Sequence, residues 1–138
     1  MNTNQLGKIT ELEVLSYVMK QGYSVSIPFG DKDRYDQIWD INGKLLRVQV
    51  KTSHWYKNEQ SAIEFKCLTN YVKTTGNVEH KYSKEEIDYF ATYWEGKVYL
   101  VPVEECSSKK ILRFSAKQNQ GTICWAKDYE FEEVIKNL

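Results

Sequence analysis

Residues 36–53, DQIWDINGKLLRVQVKTS, decide the fold. At their centre Asn42-Gly43 is the two-residue signal of a tight β-hairpin, because both turn positions take a positive φ that Asn and Gly accept at little cost. A strand over 36–41 leads in and a strand over 44–53 leads out. In the second, the two-residue period sends Leu46, Val48 and Val50 to one side and Arg47, Gln49, Lys51 and Ser53 to the other. The hairpin closes on a polar end: Asp36 at its start lies near Lys51 at its finish, with Gln49 one pleat away. Asp40 shares a strand face with Asp36 but reads as a surface residue of the hairpin.

Upstream, residues 5–21 lack proline, carry apolar residues at helical spacing and stop at Gly22, which predicts a helix. At about 100° per residue, Leu12, Val14, Leu15, Val18 and Met19 share one side. Glu11 projects into the middle of that arc, and Glu13 projects to the opposite, wet side. A carboxylate facing a core must be paired, protonated or bound to a metal, since desolvating a bare charge is costly. Glu11 is therefore the helix-borne candidate.

Residues 23–28 alternate as a strand and 31–34 form a charged turn. Beyond the hairpin, 54–61 is polar, 62–68 reads as a strand, and 69–82 as a long irregular loop with its tip at Thr74-Thr75-Gly76-Asn77. Ser83 with Glu86 makes a capping box. Strands follow over 89–94 and 98–102 around Glu95-Gly96, then over 110–114. A polar loop over 117–121 and a terminal helix over 131–138 complete the chain. One helix followed by a meander, with polar residues gathered at one end of the sheet, gives an α/β or α+β sandwich.

The 138 residues, 41% hydrophobic and 14% aromatic, suit one compact domain with its own core. Lys plus Arg and Asp plus Glu both total 19, so net charge alone advertises no polyanion partner. The distribution is less even. Lys44, Arg47, Lys51 and Lys57 fall in an acid-free stretch, as do Lys109, Lys110, Arg113, Lys117 and Lys127, while Asp128, Glu130, Glu132 and Glu133 follow together. Such segregation builds a basic face able to neutralise phosphates; ordinary solvated charge is the competing reading. Cys67, Cys106 and Cys124 are widely spaced and suggest neither a disulfide framework nor a zinc knuckle. The first residues lack a signal-peptide run and no apolar stretch reaches membrane-spanning length, so a cytoplasmic protein is expected.

Asp36, Gln49 and Lys51 form a set suited to metal-assisted phosphodiester hydrolysis, which needs oxygen ligands for a hard cation and a positive charge near the attacked phosphate. Asp36 would be the central ligand, the Gln49 side-chain carbonyl a neutral one and the Val50 backbone carbonyl a third. Lys51 would orient the water or stabilise the transition state. Glu11 would bind metal directly, bind it through water, or hold Lys51 in place. His54 and His80 are isolated and read as exposed or hydrogen-bonded histidines.

Gly7-x-x-x-Glu11, Arg34-Tyr35-Asp36 and Gln49-Val50-Lys51 resemble the motifs of the PD-(D/E)XK nuclease superfamily, most closely its group I intron homing endonucleases. The likeness continues through 87–91, 101–103 and Leu112-Arg113, so it spans most of the chain. It implies a restriction-endonuclease-like α/β core with a mixed β-sheet flanked by helices. It also implies magnesium, with manganese as substitute, and double-stranded DNA as substrate. By resemblance Asp36 and Gln49 are metal-site residues, Lys51 the catalytic cation and Glu11 the helix-borne acid. Tyr35 replaces a proline that does no chemistry. Gln49 replaces an Asp or Glu, which removes a negative charge from the site; Glu11 is the residue that would supply it.

One nuclease domain over 1–138 is expected, with 54–82 as an insertion that contacts DNA or another subunit. Candidate DNA contacts are Lys8, Arg34, Ser53, Lys57, Lys66, Lys73, Lys81, Gln118, Asn119 and Gln120, the amides being suited to adenine edges. Trp55 and Tyr56 lie in the same region, where a two-stranded ribbon could enter the major groove. Trp39, Trp94 and Trp125 are assigned to core or subunit packing. A chain of this size must act as a homodimer or homotetramer to cut both strands together. The leading expectation is a site-specific endonuclease of the intron-homing kind. A Holliday-junction resolvase or restriction-like nuclease on the same core is the nearest alternative, and a non-catalytic DNA-binding module with a decayed site is one of another class.

Overall fold

The structure, a computed structural model, describes residues 1–30, 33–58, 60–115 and 121–138. Helix α1 (Thr3–Lys20) begins at a reciprocal cap: the Asn2 side chain accepts from the Gln5 amide at 2.9 Å, and the Asn2 amide donates to Gln5 Oε1 at 3.1 Å. Strands β1 (Ser24–Ser26), β2 (Gln37–Ile41) and β3 (Lys44–Val50) form an antiparallel meander. Asn42 and Gly43 turn between β2 and β3 with φ of 54° and 92°, and Asp40 Oδ1 accepts from the Gly43 amide at 2.7 Å. Asp40 thus serves its own hairpin.

Next come β4 (His54–Trp55), β5 (Ala62–Lys66), β6 (Leu68–Lys73) and β7 (Gly76–Lys81). Strands β8 (Tyr89–Trp94), β9 (Lys97–Pro102) and β10 (Lys109–Arg113) follow, with the short helix α2 (Phe131–Ile135) near the end. The central sheet has the order β1-β2-β3-β8-β9, and β8 runs parallel to β3. A second sheet, β10-β5-β4, is antiparallel. Sheet and helices form three layers. On one face Val14 and Val18 of α1 and Phe131 and Ile135 of α2 pack with Trp39, Leu46, Val48 and Leu100. On the other, Phe90, Tyr99 and Val101 pack with Ile63, Phe65 and Leu112 of the second sheet.

The expected mixed sheet is present, with both helices on one face and a small sheet on the other. Two expectations are corrected. Residues 69–82 are not irregular: β6 and β7 pair with each other as a separate two-stranded ribbon, closed by Thr74 and Thr75. The stretch hid its strands because Thr, Asn, His and Lys dominate it, leaving no apolar alternation to betray them. Secondly, α1 buries Thr10, Val14 and Val18, while Leu12 and Met19 stay 63% and 55% exposed. The sheet covers a narrower stripe than the apolar arc of the sequence. No helix among the described residues is long and apolar enough to cross a membrane.

Candidate active site

The polar end of the β2–β3 hairpin meets the side of α1. The Asp36 amide donates to the Val48 carbonyl at 2.8 Å and Asp36 Oδ2 accepts from the Val50 amide at 2.8 Å. Since Gln37 pairs with Val48, the register sets Asp36 opposite Gln49. Burial of Leu46, Val48 and Val50 turns Gln49 and Lys51 to the opposite side. Glu11 reaches the same place from the helix, close enough for its carboxylate to act on the Asp36 carboxyl. Lys8 approaches Glu11 Oε2 at 3.2 Å from the solvent side.

Several residues that the sequence reading passed over hold this meeting point. Gln37 is buried and donates to the Glu11 backbone carbonyl at 2.8 Å, while Trp39 Nε1 donates to Gln37 Oε1 at 2.9 Å. Thr10 Oγ1 and Thr52 Oγ1 lie 3.0 Å apart, tying the helix beside Glu11 to the chain beside Lys51. A readable signal existed for Gln37: it is polar at a position where strand alternation demands an apolar residue.

The electrostatics are unusual for surface carboxylates. Burial, then the negative charge of Glu11 and the hydrogen bond to it, push the Asp36 carboxyl up to about 7, against the opposing pull of the Val50 amide and the Lys51 ammonium. Lys51 is drawn below the usual amine range by burial and by nearby Lys66, with the Asp36 charge opposing. Two carboxyls share a pocket in which they cannot both ionise cheaply. The donor set fits a divalent cation: Asp36 and Glu11 are hard oxygen donors whose repulsion a dication relieves, and among the described residues the Gln49 side chain makes no hydrogen bond that would occupy its carbonyl. No three His, Cys, Asp or Glu side chains converge among the described residues, in keeping with an amide where an acid would stand. On the helix side Glu11 and Asp36 open into a cleft of about 380 Å³ walled by Leu12, Leu15, Ile27 and Tyr35.

Comparison with protein families settles what this arrangement belongs to. A family model described as PD-(D/E)XK endonuclease matches residues 1–132. The chain belongs to the PD-(D/E)XK endonuclease family. Among solved structures it is similar to a bacterial homing endonuclease, I-Ssp6803I, with a TM-score of 0.77 at 22% identity over 99% of this chain and 95% of that one. Comparison with curated proteins finds no match.

Elsewhere on this endonuclease the structure sorts the expected DNA contacts. Lys57, Lys66, Lys73 and Lys81 are exposed. Lys66 lies near enough to Lys51 to act on its charge, so β5 runs along the flank of the site. Ser53 is 9% exposed and its hydroxyl lies 2.7 Å from Thr92 Oγ1, which ties the chain after β3 to β8. Arg34 Nε pairs with Glu86 Oε2 at 3.0 Å, and Glu86 also holds His80 at 2.9 Å, joining the loop before Asp36 to the ribbon. His54 pairs with Glu64 at 2.9 Å, so both histidines are partnered as expected. Gln118, Asn119 and Gln120 lie outside the described residues. A basic cluster also emerges that spacing could not show: Lys57, Lys109 and Arg113 place their cations 5.2, 5.4 and 5.7 Å from the centre of the Tyr56 ring. Lys57 and Asn58 make this turn at φ of 50° and 58°.

Proposed function

We propose that this endonuclease is a magnesium-dependent, site-specific enzyme that hydrolyses double-stranded DNA, of the intron-homing kind. The observation that carries the reading is the half-buried Glu11–Asp36 pair facing Gln49 and Lys51, in which burial and the Glu11 charge raise the Asp36 carboxyl to about 7. Asp36, Glu11, the Gln49 carbonyl and the Val50 backbone carbonyl would hold the metal. When bound, the cation supplies Lewis-acid stabilisation of charge on the phosphate and lowers the pKa of an attached water.

The chain's own residues do the rest. Asp36 gives up its proton as the site fills and is fixed in place by the Val50 amide. Glu11 provides the second negative charge that Gln49 lacks. Lys51 keeps its ammonium against the attacked phosphate, where a buried cation is worth more than one in water. The β6–β7 ribbon, about 20 Å long, suits the major groove. Exposed Lys57 and Lys109 beside Tyr56, together with exposed Lys66, offer a track for backbone phosphates. One such site cuts one strand, so two copies must act together. Exposed Leu12, Met19, Ile27 and Phe29 support self-association of the chain as a homodimer or homotetramer in the cytoplasm.

The test is incubation with a plasmid library of randomised targets and with a synthetic four-way junction, each with magnesium and with a chelator. Discrete cleaved ends from linear targets, lost with the chelator and in Lys51→Ala, support homing. Cleavage of the junction alone supports resolution. Binding without cleavage across the library in wild type and Lys51→Ala alike favours a DNA-binding module and sinks the enzymatic reading.

A further inference from the structure

The base of the β6–β7 ribbon is built around Lys51. Lys51 Nζ donates to the Leu68 carbonyl at 3.3 Å and to Thr69 Oγ1 at 3.4 Å, the first residues of β6. Thr69 Oγ1 lies 2.5 Å from the Tyr82 hydroxyl, at the residue immediately after β7. The Tyr82 ring stands under the ammonium at 5.6 Å and is itself locked edge-on against Phe90 at 5.6 Å. Tyr82 is only 7% exposed. Both strands of the ribbon therefore end on the same lysine, and through Tyr82 on a ring fixed in the core.

The lengths of these bonds matter. A charge-assisted N–H···O bond settles near 2.7–2.9 Å in general, and both Lys51 bonds are longer. A shift of the ribbon by a few tenths of an ångström toward the sheet would tighten them, and a shift away would break them. An ammonium has three donors, and these two acceptors leave the third for a phosphate. Among the described residues the ribbon shares no strand pairing with the other sheets, so no ladder of backbone hydrogen bonds fixes its lean.

We propose that Thr69 and Tyr82 are positioning residues for Lys51, and that seating the ribbon in a recognised DNA groove tightens this contact and so couples target recognition to cleavage. The inference rests on Lys51 being the catalytic cation. A ribbon that fails to seat leaves the ammonium loosely held, and a misplacement of about 1 Å is enough to lower rate a hundredfold. Binding to non-cognate DNA through the phosphate track then proceeds without cutting.

The test compares Thr69→Val, Thr69→Ser and Tyr82→Phe with wild type and Lys51→Ala. The first readout is the melting temperature of each protein without DNA. The second is single-turnover cleavage and dissociation constant on a duplex recovered from the randomised library. Thr69→Val removes an acceptor that orients the Lys51 ammonium and leaves the melting temperature near that of wild type. Its cleavage rate falls roughly ten- to hundredfold while DNA affinity stays within about twofold of wild type. Thr69→Ser restores the rate, and Tyr82→Phe, which keeps the ring and loses the hydroxyl, falls between. A wild-type cleavage rate in Thr69→Val overturns the proposal. So do Thr69→Val and Thr69→Ser that lose rate and melting temperature in parallel, because that is the mark of a packing role. Wild-type cleavage by Lys51→Ala removes the underlying assignment of the cation and takes the proposal with it, which separates that failure from the first.

Discussion

Arg47 on β3 and Lys51 just past its end share one side by strand period and meet opposite fates. Arg47 is spent on the fold, using four of its five N–H donors: its guanidinium donates to Asp88 Oδ2 and Oδ1 at 3.2 and 3.1 Å, to the Glu85 carbonyl at 2.5 Å and to the Lys84 carbonyl at 2.8 Å. Burial works against the Asp88 charge, yet the Arg47 bonds hold its carboxyl below the usual range, and hydrogen bonding to Asp88 raises Arg47. At Lys51 every shift has the other sign. The amine is lowered and its carboxylate neighbour Asp36 is raised. Where charges are mutually satisfied the pair serves the fold; where they are held in forms they resist, the missing charge must come from outside. Sequence spacing places both cations alike, and only their partners tell them apart.

The contrast can be broken at several points. The largest effect is expected at the site: Asp36→Ala and Lys51→Ala should each lower cleavage by at least about 10²–10³-fold, the range for deleting one transition-state stabiliser, with DNA binding retained in gel-shift assays. A wild-type rate for Asp36→Ala would show that another carboxylate does this work. The pH dependence of stability should come next. A carboxyl raised from 3.8 to about 7 binds its proton more tightly in the folded state, so its contribution is complete below 3.8 and is lost as pH rises through about 7. The metal-free protein should therefore lose on the order of 2–4 kcal/mol across that window, and Asp36→Asn should flatten it in denaturant titrations. Magnesium should raise the melting temperature more at pH 8 than at pH 6, and should do so little in Asp36→Asn.

Smaller effects test the satisfied half. Arg47→Ala should cost about 1–2 kcal/mol of stability by urea unfolding while cleavage stays within about twofold. Because Asp88 is depressed, its stabilisation is lost as pH falls, opposite in sign to Asp36. The smallest change is expected from Gln49→Glu, which restores a third acid: the magnesium concentration for half-maximal cleavage should fall by roughly three- to tenfold, as added ligand charge tightens divalent binding. An unchanged or raised requirement would place Gln49 outside the metal's reach.

Much of the fold was legible because it rests on local chemistry. Asn42-Gly43 permits only a tight turn, and alternation from Leu46 to Val50 follows from the pleat, so the register that faces Asp36 with Gln49 is contained in the residues themselves. The end of α1 at Gly22 and the buried Val14 and Val18 follow the same logic. The parallel pairing of β8 with β3 joins strands separated by β4, β5 and the whole ribbon, a contact no local pattern encodes. Ser53 was read as an outward residue because strand period gives a face without saying what covers it, and Thr92 covers it. The sequence by itself determined the hairpin and the helix, and it singled out Glu11, Asp36, Gln49 and Lys51 as the proposed set. Tertiary structure alone decided that burial and Glu11 raise the Asp36 carboxyl, that Arg47 is spent on Asp88, and that the ribbon's base holds Lys51, because desolvation and charge pairing depend on distances in space.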